Sequence, residues 1–377
     1  MSCDRVIFHP SIAAAPEYCA GTSIEEAARR CGAAEIVKLA SNENPLGPSR
    51  RAVAAIRAAV AQLHRYPPLS DEALRGRLAG GEGAGFGPEH VVCGNGGTDL
   101  LALVADAFLN PGDEAIVCPP TFPLYEILVS RRGARAVRCD LRTPGFAYDA
   151  ERILRAVTPA TRVLFLCSPV NPTGTLLTAA QAELVMAELP DRVVTVFDES
   201  YRDFVDDPAA ADGRVWVRAG RPVLAVRSLS KSMGLAGLRF GWGIAPPQLA
   251  GYLRRMRNPF ASGSLALAGA IAALEDRAHL ERTRRLVLRE RSWLFRALEA
   301  RGLAPVPSQA NFILFRPGLP PETVYERLLE RGVVVRPAAF FQQPEAIRVS
   351  LGTRAQNRRF LAALDEVLAE IRPGAPA

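Results

Sequence analysis

The sequence is poor in lysine and histidine and contains no long apolar run. Only Lys38 and Lys231 among its 46 basic residues are lysines, and four scattered histidines lack the spacing of a zinc site. The longest clear apolar run, Leu265–Leu274, has ten residues, whereas a membrane-spanning helix needs about 20. We therefore expect neither a metal centre nor a membrane span.

Other features that would mark secreted or nucleic-acid-binding proteins are also missing. The first residues do not form a basic segment followed by an apolar one, so no signal peptide is expected. The seven cysteines include no Cys-x-x-Cys pair, and several lie in apolar runs, as buried thiols do. The net charge of +7 is dispersed along the chain, which argues against a nucleic-acid partner. A soluble cytoplasmic protein is the expectation.

Short apolar runs alternate with amphipathic segments from residue 90 to about 257. This alternation is typical of a mainly parallel sheet covered by helices on both faces. After residue 258 the pattern changes to long helices and a few short strands, as in a smaller α+β domain. The expected fold is therefore α/β with a large and a small domain. Predicted boundaries are 1–40 for an N-terminal arm with part of the small domain, 41–257 for the large domain and 258–377 for the small domain.

Lys231 lies in a loop of small hydroxyl residues, Ser228-Leu-Ser-Lys231-Ser, and Gly237 and Arg239 follow it. Hydroxyls, backbone amides and an arginine suit a phosphate, and a lysine amine suits an aldehyde. Arginine cannot replace lysine as a nucleophile, because it does not lose its proton. Pyridoxal phosphate carries both groups. An isolated lysine in such a loop is more often a plain surface residue.

Three further segments each follow a predicted strand. Asp198 ends the run Val193–Asp198, where a carboxylate would pair with a pyridine nitrogen, cap a helix or bind a metal. Asn171 lies in an Asn-Pro-Thr-Gly turn, which is either a plain turn or a donor to a phenolic oxygen. Gly94-Asn-Gly-Gly-Thr98-Asp99 precedes an apolar helix and is either an anion site or a helix start capped by Thr98 or Asp99. Carboxyl ends of parallel strands share one edge, so we expect the segments to converge.

Further motifs extend over most of the chain: Tyr18-Cys-Ala-Gly21, Ser41-Asn42-Glu-Asn-Pro45, Arg65-Tyr66-Pro67, Pro119-Pro-Thr-Phe122, Gly332-Val-Val-Val-Arg336 and Ile347-Arg348-Val-Ser-Leu-Gly-Thr353. With them the sequence resembles the fold-type-I pyridoxal-phosphate aminotransferases, and among these the histidinol-phosphate aminotransferase family. The resemblance implies an aspartate-aminotransferase-like fold, pyridoxal 5'-phosphate as cofactor, and a homodimer with shared active sites.

The resemblance also implies roles for single residues. Lys231 would bind the cofactor covalently and carry the proton at the substrate Cα, Asp198 would pair with the ring nitrogen, and Phe122 would stack on the ring. The phenolic oxygen would be bound by Asn171 and Tyr201. The phosphate would be held by Gly97, Thr98, Ser228, Ser230 and Arg239, with Tyr66 reaching it from the other subunit. The substrate-binding residues would be Tyr18, Asn42, Arg336 and Arg348, of which Arg348 would bind the α-carboxylate.

The implied reaction transfers an amino group between histidinol phosphate and 2-oxoglutarate. Alternatives on the same scaffold are an aromatic amino-acid aminotransferase, a decarboxylase of a phosphorylated amino acid, or an enzyme of a specialised pathway. Phe340 and Phe341 follow Arg336 closely, so they either shape a pocket for an aromatic or apolar side chain or pack in the core. A protein that binds the cofactor without turnover is disfavoured, because Lys231 and Asp198 are both present.

Overall fold

The computed structural model describes residues 9–32, 35–68, 71–81 and 85–371. The N-terminal part consists of short helices and one two-residue strand. Their bounds are α1 (Pro10–Ala14), α2 (Ile24–Cys31), β1 (Val37–Lys38), α3 (Arg50–Val60) and α4 (Glu72–Gly80).

A seven-stranded sheet follows, in the order β2-β8-β7-β6-β5-β3-β4. Only β8 runs against its neighbours; the other pairings are parallel. The sequence predicts seven strands, at His90–Cys93, Glu114–Cys118, Ala134–Cys139, Arg162–Cys167, Val193–Asp198, Val223–Arg227 and Phe240–Ala245. All seven strands are found, within a residue or two of these bounds. They are β2 (Val91–Gly94), β3 (Glu114–Val117), β4 (Arg135–Arg138), β5 (Thr161–Cys167), β6 (Val194–Asp198), β7 (Val223–Ser228) and β8 (Gly241–Ile244).

Helices cover both faces of this sheet, because its central strands are apolar on both sides. In β5, Leu164 and Leu166 pack into one buried cluster, while Val163 and Phe165 pack into another on the opposite face. Full burial of such a side chain contributes about 1.5–3 kcal/mol to the stability of the folded state. The connecting helices are α5 (Gly97–Phe108), α6 (Leu124–Arg131), α7 (Ala150–Arg155), α8 (Ala179–Glu188), α9 (Arg214–Arg218) and α10 (Pro247–Met256).

The C-terminal part contains a second, smaller sheet in the antiparallel order β12-β13-β10-β9. Strand β11 pairs instead with β1, which ties residues 37–38 to this part of the chain. The fold class is thus as predicted, and the domain boundaries stay a prediction. The elements are α11 (Ser264–Leu274), α12 (Arg277–Glu299), β9 (Ala304–Pro305), β10 (Phe312–Arg316), α13 (Pro321–Glu330), β11 (Val333–Val334), β12 (Arg336–Pro337), β13 (Ile347–Ser350) and α14 (Arg354–Ile371).

Two expectations from composition can be compared with the described residues. Four of the cysteines, Cys93, Cys118, Cys139 and Cys167, are buried free thiols, whereas Cys19 is exposed and Cys31 half-buried; Cys3 lies outside the described residues. Within the described part of the chain, no helix is both long and apolar enough to span a membrane.

Candidate active site

One cavity of about 220 Å³ collects almost all of the predicted site residues at the carboxyl edge of the large sheet. Asp198 ends β6, Ser228 ends β7, and Asn171 follows β5. These parallel strands place their last residues at the same edge. The predicted site residues that line the cavity are Tyr18, Asn42, Gly97, Thr98, Phe122, Asn171, Asp198, Tyr201, Ser228, Ser230, Lys231, Arg239, Arg336 and Arg348.

Lys231 is the lysine that lines this cavity. Its Nζ donates a 3.1 Å hydrogen bond to the carbonyl oxygen of Ser41 and lies 5.8 Å from the centre of the Tyr201 ring. Burial, with Arg348 and Arg239 adding positive charge nearby, lowers the pKa of Lys231 to about 8. A useful fraction of the amine is therefore neutral near neutral pH, which a nucleophilic lysine requires. Lys38, the other lysine, forms an ion pair with Glu43 at 3.2 Å.

Asp198 is held at both carboxylate oxygens. Tyr125 donates its hydroxyl to Oδ2 at 2.7 Å, and Ser200 donates its hydroxyl to Oδ1 at 2.6 Å and its backbone N–H at 3.1 Å. Sequence reasoning missed Tyr125 and Ser200. The available signal was a tyrosine in a buried helix three residues after Phe122, since a buried tyrosine hydroxyl usually has a partner.

The segment after β2 forms an open helix N-terminus. Gly96 is the N-cap of α5, has φ of 88°, and offers no side-chain cap. The alternative of a helix start capped by Thr98 or Asp99 is therefore wrong; Asp99 accepts instead from the N–H of Asn95 at 2.8 Å. The first amides of α5 stay free for an anion.

Arg239 and the lysine loop complete this anion site. A Cβ on Gly96 would collide with the guanidinium of Arg239, so the glycine lets the arginine approach the helix N-terminus. The hydroxyl of Ser228 accepts the N–H of Ser230 at 3.1 Å, which shapes the loop before Lys231. Backbone amides, hydroxyls and a guanidinium converge here as expected for a phosphate.

A buried polar network lies on the other side of the cavity. Asn42 donates through Nδ2 to the hydroxyl oxygen of Tyr201 at 3.0 Å. Its left-handed backbone, with φ of 55°, is held by the hydroxyl of Ser350 at 2.8 Å and the amide of Asn311 at 3.0 Å. Burial raises the pKa of Tyr201, so its hydroxyl keeps its proton.

Arg348 lies next to this network, and only 4% of its surface is exposed. It donates to the side-chain oxygen of Asn171 and, at 2.7 Å, to the carbonyl oxygen of Ala40. Because Asn171 uses its oxygen for Arg348, its amide N–H groups remain available to a phenolic oxygen. The Nε of Arg348 is buried and has no hydrogen-bond partner among the described residues.

Aromatic rings surround the outer end of the cavity. Tyr18 meets Phe122 and Phe340 edge to face, with centroids 5.9 and 5.5 Å apart. Phe341 lines the cavity and also belongs to the large buried cluster, so it does pack in the core. A pocket for an aromatic or apolar substrate side chain stays a prediction. Phe340 packs against Tyr18 and Phe341 beside the cavity.

Tyr66 is the one predicted site residue outside this cavity. It is 83% exposed, stacks on Phe260 at 4.7 Å, and lines a neighbouring surface cavity that also includes Arg239. Its expected role was to reach the site of a second subunit, and that role stays a prediction.

A family model described as aminotransferase class I and II matches residues 34–364. The chain belongs to this family. The histidinol-phosphate aminotransferase of Symbiobacterium thermophilum is 40% identical over 353 residues, which cover 94% of this chain and 96% of that protein. These matches confirm the expected aminotransferase and pyridoxal phosphate as its cofactor.

Solved structures show the same fold over nearly the whole aminotransferase chain. Histidinol-phosphate aminotransferase from Sinorhizobium meliloti, in complex with pyridoxal-5'-phosphate, has a TM-score of 0.87 at 26% identity and covers 97% of this chain and 98% of its own. A double mutant of Thermus thermophilus aspartate aminotransferase has a TM-score of 0.84 at 28% identity, with 96% and 100% covered. The predicted fold class is confirmed.

The residues of this aminotransferase fit pyridoxal phosphate. Free amides at the start of α5 and the Arg239 guanidinium suit its phosphate, and Asp198 suits its ring nitrogen. Lys231 is the amine for its aldehyde. The unpartnered buried Nε of Arg348 indicates that a further anion belongs in the cavity.

Proposed function

We propose that the enzyme reversibly transfers the amino group of histidinol phosphate to 2-oxoglutarate, forming imidazole acetol phosphate and glutamate. The observation that carries this proposal is the pair Arg336 and Arg348. The two arginines are register partners on the antiparallel strands β12 and β13, and both line the cavity. Both guanidiniums lie near the Phe341 ring, at 5.7 and 4.9 Å from its centre.

Like charges directly opposite each other across a strand pair are destabilising. Burial, with the charge of Arg336 adding, lowers the pKa of Arg348 to about 10. Two guanidiniums at one end of a cavity therefore favour a ligand with more negative charge than a single carboxylate. Histidinol phosphate brings a phosphate group, and glutamate and 2-oxoglutarate bring two carboxylates. Phenylalanine and tyrosine bring only one.

The proposed roles of the cavity residues follow from their contacts. Bound pyridoxal phosphate supplies an aldehyde and an electron-withdrawing ring, which make the Cα proton of an amino substrate removable. Lys231, with its lowered pKa, removes that proton and returns it. Asp198 keeps the ring nitrogen protonated, and Asn171 and Tyr201 bind the phenolic oxygen. The phosphate is held by Gly97, Thr98, Ser228, Ser230 and Arg239.

The substrate is proposed to bind between the two arginines and the aromatic rings. Arg348 binds the α-carboxylate of glutamate, with Asn42 beside it, and Arg336 binds the second carboxylate. Histidinol phosphate has no carboxylate, so its phosphate group is the anion that these arginines bind. Phe122 stacks on the cofactor ring, and Tyr18 contacts the ring of the donor. The same rings support a second candidate, an aromatic amino-acid aminotransferase, because Tyr18, Phe122 and Phe340 form one edge-to-face set at the outer end of the cavity.

We also propose a homodimer in which Tyr66 reaches the phosphate site of the partner subunit. The support is the high exposure of its ring and the surface cavity that it shares with Arg239. Phe260, 41% exposed, stacks on the same ring, and the two form an uncovered aromatic surface. The cytoplasmic location stays a prediction.

The test is a half-reaction screen of the purified holoenzyme. Histidinol phosphate, histidinol, glutamate, phenylalanine and tyrosine are mixed with it separately, and the loss of absorbance of the lysine-bound cofactor is followed. We expect fast conversion by histidinol phosphate and glutamate. Histidinol, the matched donor without a phosphate, should react at least about tenfold more slowly, since a charge-assisted hydrogen bond contributes about 1.5–3 kcal/mol. Fast conversion by phenylalanine or tyrosine alone would assign the second candidate.

A further inference from the structure

The side-chain amide of Asn42 lies between the small sheet and Tyr201. Ser350, at the end of β13, donates its hydroxyl to Oδ1 of Asn42 at 2.9 Å and accepts the backbone N–H of Asn42 at 2.8 Å. Nδ2 of the same amide donates to the hydroxyl oxygen of Tyr201 at 3.0 Å. All three side chains are buried. Asn42 and Tyr201 line the cavity, whereas Ser350 does not.

The hydroxyl of Ser350 determines which end of the Asn42 amide faces Tyr201. A serine hydroxyl has a single proton. Because the backbone N–H of Asn42 already donates to the hydroxyl oxygen, that proton is the one donated to Oδ1. If the amide turned over, the serine proton would lose its acceptor inside a buried site, which is costly. The amide nitrogen is therefore held toward Tyr201.

The hydrogen bond from Asn42 also determines where the hydroxyl proton of Tyr201 goes. Burial raises the pKa of Tyr201, so its hydroxyl keeps this proton. Since the amide nitrogen of Asn42 is a donor, it cannot accept the proton, which is available to an acceptor in the cavity. A hydroxyl that accepts one hydrogen bond is also a stronger donor in the next.

We propose that Ser350 is a positioning residue that directs the hydroxyl proton of Tyr201 toward the phenolic oxygen of pyridoxal phosphate. Ser350 acts through Asn42. Without the serine hydroxyl, Oδ1 of Asn42 is a buried acceptor with no partner, and the amide gains by turning over to accept from Tyr201. The proton of Tyr201 is then shared between Asn42 and the cofactor. The inference rests on the proposed role of Tyr201 in binding the phenolic oxygen and does not depend on the substrate.

The test is a spectrophotometric pH titration of the holoenzyme without substrate. The titrating group is the nitrogen that links Lys231 to the cofactor, and its protonation changes the absorbance. A hydrogen bond donated to the phenolic oxygen stabilises the negative charge there, so this oxygen attracts the proton of the linking nitrogen less strongly. Loss of the donor therefore raises the pKa of the linkage. We expect a rise of about one unit or more in Tyr201→Phe and of about 0.3–1 unit in Ser350→Ala.

Ser308→Ala is the matched control. Ser308 is also a buried serine of the small domain, and its hydroxyl bonds only the backbone, at Ala310 and Phe312. Its loss should lower the free energy of unfolding and leave the pKa of the linkage unchanged. The other titratable groups near Tyr201 are intact in every variant: Lys231, Arg348, Asp198 and Cys167.

Two further variants separate the hydroxyl of Ser350 from its packing. Ser350→Thr keeps a hydroxyl and should keep the wild-type pKa of the linkage. Ser350→Ala combined with Tyr201→Phe should titrate like Tyr201→Phe alone, because Ser350 acts through the hydroxyl that this variant lacks. Thermal unfolding of each variant shows that the fold is retained.

A wild-type pKa in Ser350→Ala, or a further rise when this change is added to Tyr201→Phe, would overturn the proposal. Equal rises in Ser350→Ala and Ser350→Thr would also overturn it, since the hydroxyl would then have no part in the effect. An unchanged pKa in Tyr201→Phe would overturn the role of Tyr201 and this inference with it. Failure of histidinol phosphate in the half-reaction screen would concern the substrate alone.

Discussion

The hydroxyl of Tyr125, in α6, donates a 2.7 Å hydrogen bond to the carboxylate of Asp198, at the end of β6. Both side chains are buried, and burial raises the pKa of Tyr125 well above its ordinary value. The tyrosine therefore stays a donor at any working pH. Together with Ser200, it orients the carboxylate before a cofactor enters.

Tyr125→Phe removes this donor and leaves the ring in place. Because a hydrogen bond to a charged group contributes about 1.5–3 kcal/mol, we expect the affinity for pyridoxal phosphate to fall about tenfold or more. Titration of the apoenzyme with the cofactor measures the effect. Tyr148→Phe is the matched control, since Tyr148 is equally buried but bonds the backbone of Cys167. Tyr148→Phe should lower the free energy of unfolding and leave the affinity for pyridoxal phosphate unchanged. Equal losses of affinity in both variants would show that the hydrogen bond from Tyr125 to Asp198 has no particular role in cofactor binding.

The reactivity of Lys231 should depend on pH through its own titration. Its pKa of about 8 lies below the ordinary value, so the neutral, nucleophilic fraction rises as the pH rises through 8 and then levels off. We expect the rate of covalent cofactor capture by the apoenzyme, measured after borohydride reduction, to follow this curve.

Arg348→Gln should move that inflection to higher pH. The charge of Arg348 is the second cause of the lowered pKa, after burial, so its removal favours the protonated amine. Arg354→Gln, on α14 and paired with Glu290, is the control and should leave the curve in place. An unchanged inflection in Arg348→Gln would show that the charge of Arg348 does not contribute to the lowered pKa of Lys231.

The pair Glu199 and Arg227 should contribute to stability beneath the site. Their side chains are 1% and 10% exposed and 2.9 Å apart, and Glu199 also accepts the N–H of Gly213. Glu199→Ala leaves the buried guanidinium with only the more distant carboxylate of Asp203, 4.0 Å away, so we expect a loss of about 3 kcal/mol. Denaturant unfolding measures this loss. Glu151→Ala, in an exposed pair with Arg155, should change the free energy of unfolding by less than about 1 kcal/mol. Similar losses of unfolding free energy in Glu199→Ala and Glu151→Ala would show that the buried pair contributes no more to stability than the exposed one.

Shared active sites can be tested with subunit hybrids. Neither Lys231→Ala nor Tyr66→Ala homodimers should have full activity. A hybrid dimer contains one site with both wild-type residues, so refolding an equal mixture should restore about a quarter of wild-type activity, given random pairing. Activity no higher than the mean of the two separate variants would mean that Tyr66 does not cross to the partner.

Much of the fold followed from local patterns. The strands were predictable because apolar runs of five or so residues, bounded by turn residues, have few alternatives to a buried parallel sheet. The sequence predicted an apolar helix after Gly94–Asp99, with Thr98 or Asp99 as its cap, whereas α5 begins at Gly97 and has Gly96 as its N-cap. A glycine at the N-cap has no side chain that would mark the start of a helix in the sequence, whereas a serine or an aspartate there would mark it.

The sequence by itself determined the chemistry: one lysine in a hydroxyl-rich loop, an aspartate at a strand end, and four polar segments that had to meet at one sheet edge. The tertiary structure alone decided which side chains touch. Tyr125 and Asp198 are 73 residues apart, and Arg336 donates to the carbonyl oxygen of Ala20, 316 residues earlier. Arg336 and Arg348 face each other only through the register of β12 and β13. Such contacts depend on the packing of distant elements, and no local pattern encodes them.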